Sequence, residues 1–96
     1  MNYIVTVAVK ARRELAEASN WYDGKQLHLG EQFEEAIFKK IYLIQANPLQ
    51  YPMKDGLREA VSDDFPFIII YKVVEKGNKI IIVSVFHMSR HPKNKR

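Results

Sequence analysis

Two periods of apolar residues alternate along the chain. Residues 3–8, YIVTVA, are short, β-branched and aromatic, and predict a first strand. From Val9 onward the spacing lengthens: Ala11, Leu15, Ala18 and Tyr22 lie four, three and four apart, with Lys10, Arg12, Arg13, Glu14 and Glu17 on the other faces. That is an amphipathic helix, with no Ser, Thr, Asp or Asn cap just before it and Asp23-Gly24 as its stop. A second helix begins between Lys25 and Glu31, carries the stripe Leu29, Phe33, Ile37, Ile41 and Ile44, and ends near Ala46, where Asn47-Pro48 forces the chain out of helical geometry. Phe38, Tyr42 and Leu43 widen its apolar surface beyond one contact. The short link makes the two helices an antiparallel hairpin.

The prolines and glycine of residues 47–56, NPLQYPMKDG, predict a loop; residues 57–61 then read as a short strand and residues 62–64 as a turn. Two long strands follow, residues 67–75 and 80–88. Gly77-Asn78 between them suits a two-residue type II′ turn, which would pair Glu75 with Ile80, Val73 with Ile82, Tyr71 with Ser84, Ile69 with Phe86 and Ile68 with His87. One face would then carry Phe67, Ile69, Tyr71, Val73, Ile82, Ser84, Phe86 and Met88. The other would carry Ile68, Ile70, Lys72, Val74, Ile81, Val83, Val85 and His87, with Lys72 and His87 marking it as the open side. The order β-α-α-β-β-β predicts an α+β fold of two layers, a helical hairpin packed on a mostly antiparallel four-stranded sheet.

Ninety-six residues make one domain with a single core. The absence of cysteine excludes a disulfide framework, a thiolate metal site and a cysteine nucleophile, and three scattered histidines make no zinc site. No metal or cofactor is therefore expected. No apolar run approaches the ~20 residues of a membrane span and the N-terminus lacks a signal-peptide pattern, so the expectation is a cytoplasmic protein without membrane contact. The net charge of +4 is local: residues 1–89 balance at eleven basic and eleven acidic side chains, and Arg90, Lys93, Lys95 and Arg96 supply the excess. The chain thus divides into a domain over residues 1–89 and a basic tail over 90–96. Such a tail suits a polyanion or an acidic partner, and equally a solvated end.

In order and spacing, WYDGKQLHLGEQFEEAI, IQANPLQYP, Gly56 to Arg58, FPFIIIY at 65–71 and the closing V-x-H-x-x-R-H-P of Val85 to Pro92 resemble the RelE/ParE superfamily, the toxins (often called plasmid stabilisation proteins) of type II toxin-antitoxin systems. The resemblance implies a small toxin held inactive by a cognate antitoxin that wraps it with a helix or extended segment, which would account for the surplus apolar helix surface. Members divide by target: some cleave mRNA in the ribosomal A site, others inhibit DNA gyrase.

The expected activity is the first, with gyrase inhibition as the alternative: a ribosome-dependent mRNA endoribonuclease acting by metal-free 2′-hydroxyl attack, which needs proton transfer and cations for the developing charge. By position His87 would move the proton while Arg58, Arg90 and Lys54 hold phosphate, with Tyr51, Lys72, Lys93 and Lys95 as RNA contacts. The chain end lacks the aromatic that such members use for stacking, which leaves Tyr51 or Tyr71. His87 also fits a packed strand residue, Arg58 a partner of Asp63 or Asp64, and Tyr71 the core. The second implies a gyrase inhibitor that binds without chemistry, and a toxin fold with neither activity is a third reading. Convergence of Arg58, His87 and Lys54 in one concave patch would favour the nuclease; a dispersed set would favour the inhibitor.

Overall fold

The computed structural model describes residues 2–89. Arg90, Lys93 and Lys95, and with them the tail over 90–96, lie outside the described residues. The elements are β1 (Ile4–Val7), α1 (Val9–Lys25), α2 (Leu29–Ala46), a 3-10 turn (Pro48–Gln50), β2 (Met53–Lys54), β3 (Leu57–Val61), β4 (Phe67–Val74) and β5 (Lys79–His87). They form a five-stranded sheet in the order β1-β5-β4-β3-β2. The β1–β5 pair is parallel and the others antiparallel, so the two-layer α+β fold is as expected while the sheet is mixed and has one strand more.

The additional strand arises from a turn that was legible. Asp55 and Gly56 have φ of 55° and 82°, the two left-handed residues of a tight hairpin turn, and they let Met53 and Lys54 fold back on Arg58 and Leu57. Asp23-Gly24 does not stop α1, which runs one residue beyond Gly24; instead the Asp23 carboxylate accepts the Gly30 N–H at 2.8 Å and so caps the start of α2. Gly30 is required there: a Cβ would meet the carbonyl oxygen of Ser19 and lie 2.7 Å from both Asp23 Oδ1 and Ser19 Oγ.

The core lies between the hairpin and one face of the sheet. Phe33, Ile37, Ile41 and Ile44 of α2 and Ala11 and Ala18 of α1 meet Ile69, Tyr71, Ile80, Ile82 and Val85. Phe33 stacks with Phe67 at 4.7 Å and with Tyr22 at 5.2 Å between ring centres, closing one end with aromatic packing. Among the described residues no helix is long and apolar enough to cross a membrane.

The central hairpin departs from the expected register for a physical reason. Type II′ geometry needs its second residue right-handed, but Gly77 and Asn78 both have positive φ, 88° and 53°, and the Asn78 N–H closes on the Glu75 carbonyl. The loop thus has four residues, and Val74 pairs with Lys79, Val73 with Ile80 and Tyr71 with Ile82. A bulge opposite Ile70/Tyr71 then shifts the ladder by one, so Ile69 meets Val85 and Phe67 meets His87. A one-residue shift exchanges faces. Val85 and His87 therefore stand on the helix side, and Phe86, paired with Ile68, stands on the open side.

Candidate functional site

Arg58 sits on β3 opposite Tyr71, on the helix side of the sheet. Its Nη1 donates to the carbonyl of Tyr51 at 2.7 Å and to that of Leu49 at 3.3 Å. Its Nε is buried without a hydrogen-bond partner. Tyr71, fully buried, donates its hydroxyl to the carbonyl of Pro48 at 2.6 Å, and its ring stands 6.3 Å from that of Tyr51. Burial pushes the Tyr71 phenol up to about 12, against the opposing pull of the Arg58 charge. Two donors from the sheet thus tie down the carbonyls of the 48–51 turn, which backbone geometry alone leaves unpaired. Arg58 pairs with neither Asp63 nor Asp64 in the described ion pairs; Asp63 meets Lys40 at 3.6 Å.

His87 lies at the other end of the sheet. Its ring packs edge-on to Phe67 at 5.1 Å, and its Nδ1 accepts the Ser89 N–H at 3.1 Å, so the neutral ring carries its proton on Nε2. It lines a cleft of about 230 Å³ with Glu14, Glu17, Ala18, Phe67 and Phe86. At the back of this cleft β1 has ended, its last pair being Val7 with Ile82, while β5 continues to His87. A side chain replaces the missing strand: Glu14 Oε1 accepts the Val85 N–H at 2.9 Å and the Ser84 hydroxyl at 2.8 Å. Glu14 Oε2 is held by Lys10 at 2.7 Å.

The predicted nuclease residues do not converge. From the Arg58–Tyr71 row to the Phe67–His87 row is four residues along β4, and from β3 to β5 is two strands across. At strand rises of ~3.3 Å and spacings of ~4.8 Å, the Cα atoms of Arg58 and His87 are roughly 16 Å apart. Lys54 pairs with Leu57, whose side chain alternates to the face opposite Arg58, and Lys72 is exposed on that same open face. Tyr51 is half-buried against Tyr71. Among the described residues no group of three or more His, Asp or Glu could hold a metal.

The surplus apolar surface expected on α2 is a separate region. Phe38 and Tyr42, one turn apart on α2, are 49% and 69% exposed. They flank two clefts beside β1, one lined by Val7, Leu15 and Phe38, the other by Tyr3, Tyr42 and Gln45. Gln45 fixes this seam by donating to the Tyr3 carbonyl at 2.6 Å.

Solved structures share this architecture. A chromosomal ParDE system from P. aeruginosa superposes with a TM-score of 0.79 at 17% identity, covering 91% of this chain and 97% of that one. The E. coli RelBE complex gives 0.69 at 15% identity over 88% and 95% of the two chains. The RelBE2 complex of Mycobacterium tuberculosis gives 0.65 at 16% identity over 91% and 99%. At these identities the likeness is one of fold. A comparison with curated proteins finds no match. The family described as ParE toxin of type II toxin-antitoxin system, parDE, matches residues 5–92, nearly the whole chain, and the chain belongs to that toxin family.

Proposed function

We propose that this toxin arrests growth by binding its target, DNA gyrase, without catalysing a reaction. The observation that carries this reading is the commitment of Arg58. A phosphate-holding guanidinium must present its donors to substrate. Here Nη1 serves two loop carbonyls and Nε is buried. With their Cα atoms roughly 16 Å apart and the Arg58 Nη1 turned to the loop, Arg58 and His87 are not set to meet one phosphate at the hydrogen-bond range, about 3 Å, that acid-base catalysis uses. Lys54 adds charge only on the opposite face of the sheet. The ribonuclease reading expects these three groups in one patch, and their separation weighs against it.

The same reading includes a cognate antitoxin as partner. Phe38 and Tyr42, with the clefts on either side, offer an exposed apolar seam of the kind an amphipathic segment covers. The experiment adds purified toxin to two reactions, relaxed plasmid with gyrase and ribosomes translating a defined mRNA. Loss of supercoiling with intact mRNA supports inhibition by binding. New mRNA ends that require ribosomes, with supercoiling unaffected, would reverse the assignment.

A further inference from the structure

The sheet has helices on one side only, yet its other side is not polar. Register and alternation place Leu57, Ile68, Ile70, Val74, Ile81 and Phe86 there. Leu57, Ile68, Val74 and Ile81 are half-buried and form the aliphatic floor that a partner can touch, while Ile70 and Phe86, 8% and 6% exposed, offer it almost no surface. Its rim is cationic. Lys54 pairs with Leu57, which stands one residue along β3 from the Arg58–Tyr71 pair and so at the level of Lys72; Lys79 pairs with Val74. All three lysines are exposed, and none takes part in the ion pairs of the described residues. The one acid set among them on this face is Glu59, opposite Ile70.

The chemistry of this surface narrows its occupant. Single-stranded RNA is held by rings on which bases stack, and among the described residues the only aromatic placed here, Phe86, is nearly covered. A second copy of the chain would bring the three lysines against their equivalents, which repels. A protein surface with an apolar centre and acidic margin satisfies both the floor and the rim. We propose that the helix-free face of the sheet, framed by Lys54, Lys72 and Lys79, is the surface by which this toxin docks on an acidic patch of its protein target. The proposal rests on the reading of the chain as a binding inhibitor. It places target and antitoxin on different sides of the molecule, the antitoxin seam being at Phe38 and Tyr42.

The test compares wild type with the double reversal K54E/K72E and with K39E, an exposed reversal on α2. Affinity for gyrase holoenzyme is measured at low and physiological salt, and complex formation with the co-encoded antitoxin by gel filtration. The double reversal is expected to weaken gyrase binding about tenfold or more, most at low salt, while K39E and the antitoxin complex stay unchanged. Retained antitoxin binding also certifies the fold of the variant. Unchanged gyrase affinity in K54E/K72E overturns the proposal. So does loss of the antitoxin complex with gyrase binding intact, which would make this face the antitoxin's seat, or loss of a wild-type dimer, which would make it a self-interface. A wild-type chain with no affinity for gyrase overturns the binding reading itself, an outcome visible before any variant is compared.

Discussion

The Arg58 guanidinium donates to the main-chain oxygen of Tyr51 at 2.7 Å, and that bond ties β3 to the turn that precedes it. The same Nη1 reaches the Leu49 carbonyl at 3.3 Å, and the lysine side chain, one bond shorter, cannot carry its ammonium to that point. Arg58→Lys is therefore expected to lower stability by about 1–2 kcal/mol in urea denaturation, with gyrase inhibition per folded molecule unchanged. Full stability with abolished activity would return Arg58 to a catalytic role.

The Tyr71 hydroxyl gives a pH signature. Its folded-state value, about 12, lies above the ordinary phenol value of 10. The unfolded chain then loses the proton first as pH rises, so the stability contributed by the protonated hydroxyl is whole below about pH 10 and is lost between roughly 10 and 12. Denaturation midpoints measured across that interval should fall more steeply for wild type than for Tyr71→Phe. Below pH 10 the same substitution should cost about 1 kcal/mol, through the lost bond to the Pro48 carbonyl.

Glu14 stands in for a strand. Replacing it with alanine leaves the Val85 N–H without its acceptor on the side of β5 that β1 does not reach. A loss of about 1–3 kcal/mol is expected, with faster amide exchange at Val85 and little change at Ile69 of β4, which is also laddered to Ala60 of β3. Uniform exchange across both strands would show that Glu14 is not what holds this segment.

Gly30 fixes how closely the helices approach. Gly30→Ala forces a methyl against the Ser19 carbonyl and displaces the Asp23 cap. The variant is expected to be destabilised by about 1–3 kcal/mol, read as a lowered thermal midpoint. Asp23→Ala alone should cost about 1 kcal/mol, because it removes the cap without the clash.

How far the sequence foretold these features varies by physical cause. Helix stripes and strand identities were legible because burial enforces their periods, as Phe33, Ile37, Ile41 and Ile44 show. The register of β4 on β5 was not, because Gly77-Asn78 permits more than one turn and a bulge carries no composition of its own. That single uncertainty moved His87 from the open face to the helix side. Least legible was whether Arg58, Lys54 and His87 share one patch, since the family pattern gives them only as residue types in order. Their faces and rows depend on pairings that no one-dimensional spacing encodes. The Asp55-Gly56 turn, by contrast, was a readable signal for β2.

The most direct test of inhibition by binding is induction of this chain alone in a bacterial host, beside its His87→Ala variant, with growth, transcript ends and DNA damage recorded together. The account predicts arrest with intact transcripts and damaged DNA, equally strong in the variant. New transcript ends in the wild type that disappear in His87→Ala would contradict it.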